Sequence, residues 1–376
     1  MRSYLDHASV SPLRPEVIAT LKDVLELSQG DPGRPYDEAV VIRQLIEDSR
    51  NEIATLAGCT PRQVVFTSSI SESVTTAFHA FVHGGRVLAP GTERSSVLEN
   101  AAESGVFTPL NVDTRGHVDL AHLESLLSEG PVDLVACQIA NHETGTVLDY
   151  ESVLEISKRH HAPVHLDAAI AFGRCDLDFG ALDADAVTIS GELLGGPMGT
   201  AALVVQKGRV LSPLLLGGSQ ERARRGGLEN ILGIVGMGVA ASVLNDDALR
   251  LRELAAGRAQ IETLERAALS VEGVSAVGDP DPAGRIATLR CFSIQGVDAE
   301  PVLMGLNRKS ISVHSGSACS TEAFEPSTVL AAMGQEADRS LRVSVGWSTT
   351  DRDVQCFEEN FADVITTLRA LNASSG

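Results

Sequence analysis

Residues 315–320 read Ser-Gly-Ser-Ala-Cys-Ser. A thiol flanked by serine and glycine on a loop is solvated and ionises near the unperturbed value of roughly 8.5, so Cys319 is placed for thiol exchange or persulfide chemistry. Arg342, in Ser340-Leu341-Arg342-Val343-Ser344, offers a guanidinium that can hold a carboxylate through two parallel hydrogen bonds. His142, Glu143, Asp167 and Glu192 supply ionisable groups for acid–base work. Ser190 opens the run Ser190-Gly191-Glu192-Leu193-Leu194-Gly195-Gly196-Pro197-Met198-Gly199, which contains no lysine. His160, His161 and His165 fall near a helix end and in a buried strand, so no metal site is expected from them.

Such residues need a frame, and the hydrophobic pattern supplies one. Short β-rich runs at 64–67, 86–89, 108–112, 134–139, 164–167, 186–190 and 201–205 alternate with helical patterns. The alternation predicts an α/β protein with a mostly parallel seven-stranded sheet covered on both faces. Ligands sit at the carboxyl ends of such strands, where Ser68 to Ser71, Asn141 to Gly145, Asp167 and Ser190 to Glu192 fall. After Leu244 a charged helix over 246–268 leads to strands near 286–294 and 310–313 and a final helix over 351–371. Two domains follow: a large one over 13–245, and a smaller α+β one made of 1–12 with 246–376 and carrying the Cys319 loop.

The chain's 376 residues, with 30 Lys+Arg against 50 Asp+Glu, predict an acidic surface. Nucleic-acid backbones and anionic membranes are therefore excluded as expected partners, the basic stretch at 222–227 being short. The apolar run 231–244 is too short to span a bilayer, and the N-terminus has no signal-like core, which predicts a soluble cytoplasmic protein. Six cysteines without CxxC spacing argue against a zinc site or a disulfide framework.

Six ordered landmarks resemble the group I cysteine desulfurases, of the class V aminotransferases and pyridoxal phosphate (PLP) fold type I. They are Tyr4 to Pro12, Val65 to Ser73, His142-Glu143-Thr144-Gly145, His165-Leu166-Asp167-Ala168, Gly217 to Arg222, and Ser315 to Ser320. The resemblance implies the fold type I architecture and a homodimer. It makes Cys319 the persulfide-forming cysteine and Arg342 the clamp for the substrate carboxylate. It gives the cofactor pocket Ser69, Ser71, Arg94, His142, Asp167, Ser190, Glu192 and Leu193, most of them changed. The Schiff-base lysine becomes Leu193, the ring-stacking histidine Arg94, the ring-contacting asparagine His142, and a phosphate-binding histidine Glu192. A threonine lent by the partner subunit becomes Leu228, and a glutamine becomes Ile170.

A Schiff base needs a primary amine, which leucine lacks, and only Lys22, Lys158, Lys207 and Lys309 occur elsewhere. No cofactor is therefore expected, covalent PLP least of all, and Arg94 is expected to pair with Glu192 across the space PLP would fill. Asp167 is read as pairing with Arg94 or His142 instead. Three roles follow from the residues: sulfur relay through a Cys319 persulfide with a sulfur-donor or sulfur-acceptor protein, a non-catalytic partner of a sulfur-transfer protein, or new chemistry in the changed pocket.

Overall fold

The computed structural model describes residues 2–27, 30–316 and 326–375, with the backbone alone for 319–320, 323–324 and 374–375. Its centre is a seven-stranded sheet ordered Val64–Thr67, Ala201–Val205, Ala186–Ser190, Val164–Asp167, Leu134–Gln138, Arg86–Pro90, Val106–Leu110. All pairings are parallel except those of Ala201–Val205, which runs antiparallel to both neighbours. The four strands from Ala201–Val205 to Leu134–Gln138 in that order are buried along their whole length, which is why they read as mostly apolar runs rather than as alternating ones. The strand expected at 108–112 begins earlier, at Val106, because the Val106 N–H bonds the Gly85 carbonyl and sets the pairing with Arg86–Pro90 from there.

Helices α1 (Pro15–Glu26), α2 (Asp37–Leu56), α3 (Ile70–Phe81), α4 (Ser95–Ser104), α5 (Leu120–Ser128) and α6 (Tyr150–Arg159) pack around this sheet. The helix Ile231–Leu244 is apolar on all sides and largely buried, with α1 and α2 against it. Glycine permits that approach: a Cβ on Gly238 would lie 2.4 Å from the Ser49 Cβ of α2. Asn245 ends this helix, and the side chain of Asp246 caps the next, Asp247–Leu269, at 85° to it. No single helix among the described residues is long and apolar enough to cross a membrane.

A second apolar cluster gathers Leu5 with Ile261, Phe292, Leu341, Phe357 and Phe361. Its sheet is antiparallel, ordered Ser340–Ser344, Leu289–Ile294, Val274–Val277. The N-terminal strand Ser3–Tyr4 crosses to this side, pairing in parallel with Ile311–Ser312. The chain is thus tied near its start to its last third, which brings Asp6 and Ser9 to Arg342.

One buried charge pair pins the 217–227 segment to the large sheet. Glu221 accepts two bonds of 2.7 Å from Arg50 and a third, of 3.0 Å, from the Phe66 N–H. These contacts hold Glu221, Arg222 and Ala223 in successive left-handed conformations, at φ 48°, 58° and 60°, which non-glycine residues adopt only when their surroundings dictate it. Glu221→Gln would leave the two buried Nη groups of Arg50 against a neutral partner, with only the more exposed Glu47 still paired to its Nε at 3.1 Å. It is expected to destabilise the fold by roughly 3 kcal/mol, read as a lowered urea midpoint with unchanged slope.

Candidate functional site

The carboxyl edge of the large sheet is where buried charge collects. Strand Val164–Asp167 ends on Asp167, 2 % exposed, whose Oδ1 accepts the Ala169 N–H and whose Oδ2 accepts Arg94 Nε–H, both at 2.8 Å. Arg94 reaches it from the turn before α4. The expected partner of Arg94, Glu192, is not its partner. Glu192 is partly solvated in a short 3-10 turn and pairs with no cation among the described residues, whereas Asp167 is sealed from water and needs a counter-charge. Pairing of Asp167 with Arg94, the other reading of these residues, is the one observed.

Beside this pair lies Glu93, which the residue pattern did not single out. It is 1 % exposed; its Oε1 accepts the Gln138 N–H at 2.7 Å and its Oε2 has no partner. Burial, reinforced by the charge on Asp167, pushes its carboxyl up to about 8. Its spacing next to Arg94 resembles an ordinary surface charge pair, and only the depth of the turn shows otherwise.

A second polar cluster surrounds the loop after Leu134–Gln138. Asn141 shapes it, its Oδ1 accepting the N–H groups of Glu143 and Thr144 at 2.9 and 2.8 Å. His142 is neutral: burial, then Arg94, Arg342 and His314 beside it, push its pKa well down, and its Nδ1 is buried without a partner. Glu143 accepts the Ser327 hydroxyl at 2.5 Å, and burial lifts its carboxyl to about 7 against the pull of Ser327, Arg342 and Arg94. Arg342 is engaged from within: Nη1 donates to the His142 carbonyl and Nη2 to Asp6, each at 2.8 Å, with Ser9 also on Nη2. It ties three distant segments together, and its Nε stays unpartnered.

Ser69 caps α3, its hydroxyl accepting the Glu72 N–H at 3.1 Å, while Glu72 Oε2 reaches back to accept the N–H of Ser68, the residue before the cap, at 2.8 Å. Arg225 Nε donates to Glu72 at 2.9 Å. Burial would raise the Glu72 pKa, but Arg225 and Ser68 outweigh it and hold the carboxyl below its usual range.

Ser71, Arg94 and His142 converge on one depression of about 540 Å³, together with Ser95, Ser96 and Asn100. Asp167 stands behind Arg94. Ser190 is fully buried, accepting the Leu193 N–H at 3.4 Å, and Leu193, 3 % exposed, belongs to the main apolar core. Leu193 lines a separate cleft with Phe172, Gly173 and Trp347. None of the four lysines lines the depression; Lys158 pairs with Asp183, and Lys309 with Asp363 at 3.1 Å. The Cys319 side chain lies outside the described residues. Among the others, burial raises Cys59 and Cys291 to about 12 and Cys175 to about 11, and holds Cys137 well above its ordinary value, so these four are poor nucleophiles.

Comparison with known proteins gives a consistent answer. The family model for aminotransferase class-V matches residues 3–357. The chain is similar to a cysteine desulfurase IscS 1 of Archaeoglobus fulgidus, 31 % identical over 98 % of each chain. It is also similar to an IscS-like cysteine desulfurase of Mycobacterium tuberculosis, 31 % identical over 94 % of this chain and 93 % of that one. Among solved structures, a NifS-like protein from Rickettsia africae superposes with a TM-score of 0.90 at 30 % identity, covering 97 % of this chain and all of the other.

Glu93 makes a pH prediction. Its native carboxyl keeps its proton up to about 8, whereas the unfolded one releases it near its ordinary 4.5. Between those values the native state binds more protons, so stability falls as pH rises, with a slope approaching ~1.4 kcal/mol per pH unit. Glu93→Gln is expected to flatten that slope and to raise the urea midpoint at pH 8 relative to the parent; equal slopes in both proteins would count against a protonated Glu93.

Proposed function

The chain belongs to the cysteine desulfurase family of the class-V aminotransferases, and from that premise we propose that it serves sulfur transfer without PLP, relaying sulfane sulfur through Cys319. The observation that carries the reading is the state of the cofactor residues. Leu193, at the position the resemblance gives to the Schiff-base lysine, has no amine and is buried in the core, and no other lysine reaches the depression. Asp167, which the resemblance assigns to the pyridine nitrogen, already has its carboxylate taken by Arg94. The residues present do not fit PLP.

The relay needs only thiol chemistry. The Cys319 thiolate attacks the outer sulfur of a donor persulfide, forming a Cys319 persulfide as the donor leaves as its thiolate. An acceptor thiolate then attacks that outer sulfur and releases the Cys319 thiolate, with no net oxidation or reduction. The donor and acceptor are proteins or thiols of the reducing cytoplasm, a setting in keeping with five described cysteines that are all free. The working form is proposed to be a homodimer. Leu216, Leu228 and Met198, 87, 64 and 72 % exposed, give the large domain apolar surface that a second copy would cover.

Two measurements test this. Purified protein mixed with PLP is expected to show no aldimine absorbance and no mass gain after borohydride reduction; a reduced adduct on the intact chain would overturn the cofactor-free reading. Incubation with a persulfide donor is expected to add one sulfur atom to the parent but none to Cys319→Ser, and equal sulfur uptake by both proteins would remove Cys319 from the relay.

A further inference from the structure

Between the helix Asp247–Leu269 and the turns at 172–174 and 193–194 lies a small cleft whose wall carries three arginines, Arg14, Arg174 and Arg250, and one carboxylate, Glu253. Such a gathering of cations runs against the net charge of -20 carried by the whole chain. The cleft shares no residue with the depression at the sheet edge. Its volume is about 40 Å³, and Arg174, Arg250 and Trp347 on its wall are each half-buried, so solvent reaches it.

The one carboxylate is already committed. Glu253 accepts Nη1 and Nη2 of Arg14 at 2.8 and 2.7 Å. Arg250 pairs at 2.8 Å with Asp247, a side chain 79 % exposed, where water weakens the attraction. Arg174 is the cation left over. Its Nη1 and Nη2 donate to the Ile170 and Leu193 carbonyls at 3.1 and 2.9 Å, and no ion pair holds it among the described residues. Carbonyls satisfy its donors but leave its charge uncompensated. Neighbouring groups register that charge. Burial brings the Arg174 guanidinium itself down to about 10, with Arg14 adding to the fall and Cys175 and Glu253 opposing it. Burial, then Arg174 and Arg14, holds His7 at about 3 against the pull of Asp353.

We infer that this cleft binds one monovalent anion, a halide or a carboxylate of formate size, held by Arg174 and Arg250. A single negative charge is what the cleft lacks once Glu253 is set against Arg14 and Asp247 against Arg250. Size points the same way: a water-sized group needs roughly 10–15 Å³ of such space, which admits a halide or formate and excludes a tetrahedral oxyanion. Phe172 and Trp347 add apolar wall, which suits a weakly hydrated anion, and Trp347 lies beside the cations, its ring centroid 5.7 Å from the Arg14 guanidinium. Arg174 follows the large sheet's strand Val164–Asp167, whereas Arg250 belongs to the helix Asp247–Leu269, so a bound anion would tie the two together. The inference stands apart from the sulfur relay and from the absence of PLP.

Trp347 is the only tryptophan in the chain, so its fluorescence reports on this wall. The test titrates the full chain with iodide, which quenches an indole on contact, using strongly hydrated fluoride to hold the ionic strength constant. A saturable quenching component is expected, relieved by chloride or formate, and the more effective competitor identifies the occupant as halide or carboxylate. Arg174→Gln is expected to weaken that component at least roughly tenfold, the effect of losing one charged hydrogen-bond donor. Because Arg174 also holds two carbonyls, Arg250→Gln is measured beside it with the same expectation, and it decides the matter if Arg174→Gln fails to fold. Quenching that rises linearly with iodide, saturable quenching that neither competitor relieves, or undiminished affinity in Arg250→Gln overturns the inference.

Discussion

Asp167 must have a counter-charge. It ends a strand in the middle of the sheet, almost wholly sealed from water, and a bare carboxylate there would carry a desolvation penalty of several kcal/mol. Arg94 meets that need from the turn before α4, and much of the site follows from it. The pair fixes where the guanidinium lies, places the start of α4 beside it, and leaves Nη2 buried without a partner. It also explains the proton on Glu93, since a third buried group cannot ionise beside Asp167 without raising the local energy again.

The second organising contact is Arg342, which joins the N-terminal segment, the 142 loop and the strand Ser340–Ser344. These segments are separated by hundreds of residues, and one planar cation can hold them because its donors point in fixed directions. Glu143 extends the same network to Ser327 at the start of a short helix. The two clusters meet at His142, which faces Arg94 and Arg342 together and is held neutral by its burial and by both charges.

Family membership and a leucine at position 193 are compatible here for a physical reason. The fold depends on apolar strands, a buried all-apolar helix and close glycine contacts, none of which involves the amine that a Schiff base would require. Leucine at position 193 adds apolar volume to that core. The side chain at that position can therefore differ without disturbing the architecture around it.

The sheet, its parallel character and the buried helix Ile231–Leu244 were legible in the sequence, because hydrophobic period and run length are local properties of the chain. So was the absence of an amine at position 193, since no neighbourhood gives an isobutyl group one. Which partner Arg94 would choose was not legible. Asp167 and Glu192 are both acidic residues at strand ends, and only burial, which depends on how distant strands and turns pack, makes one of them need the cation and leaves the other to water. The same holds for Glu93, whose identity suggests a surface charge and whose proton comes from its depth. Residue types settled what chemistry was available to this protein; the tertiary structure settled which groups were desolvated, and desolvation decides which charges must meet.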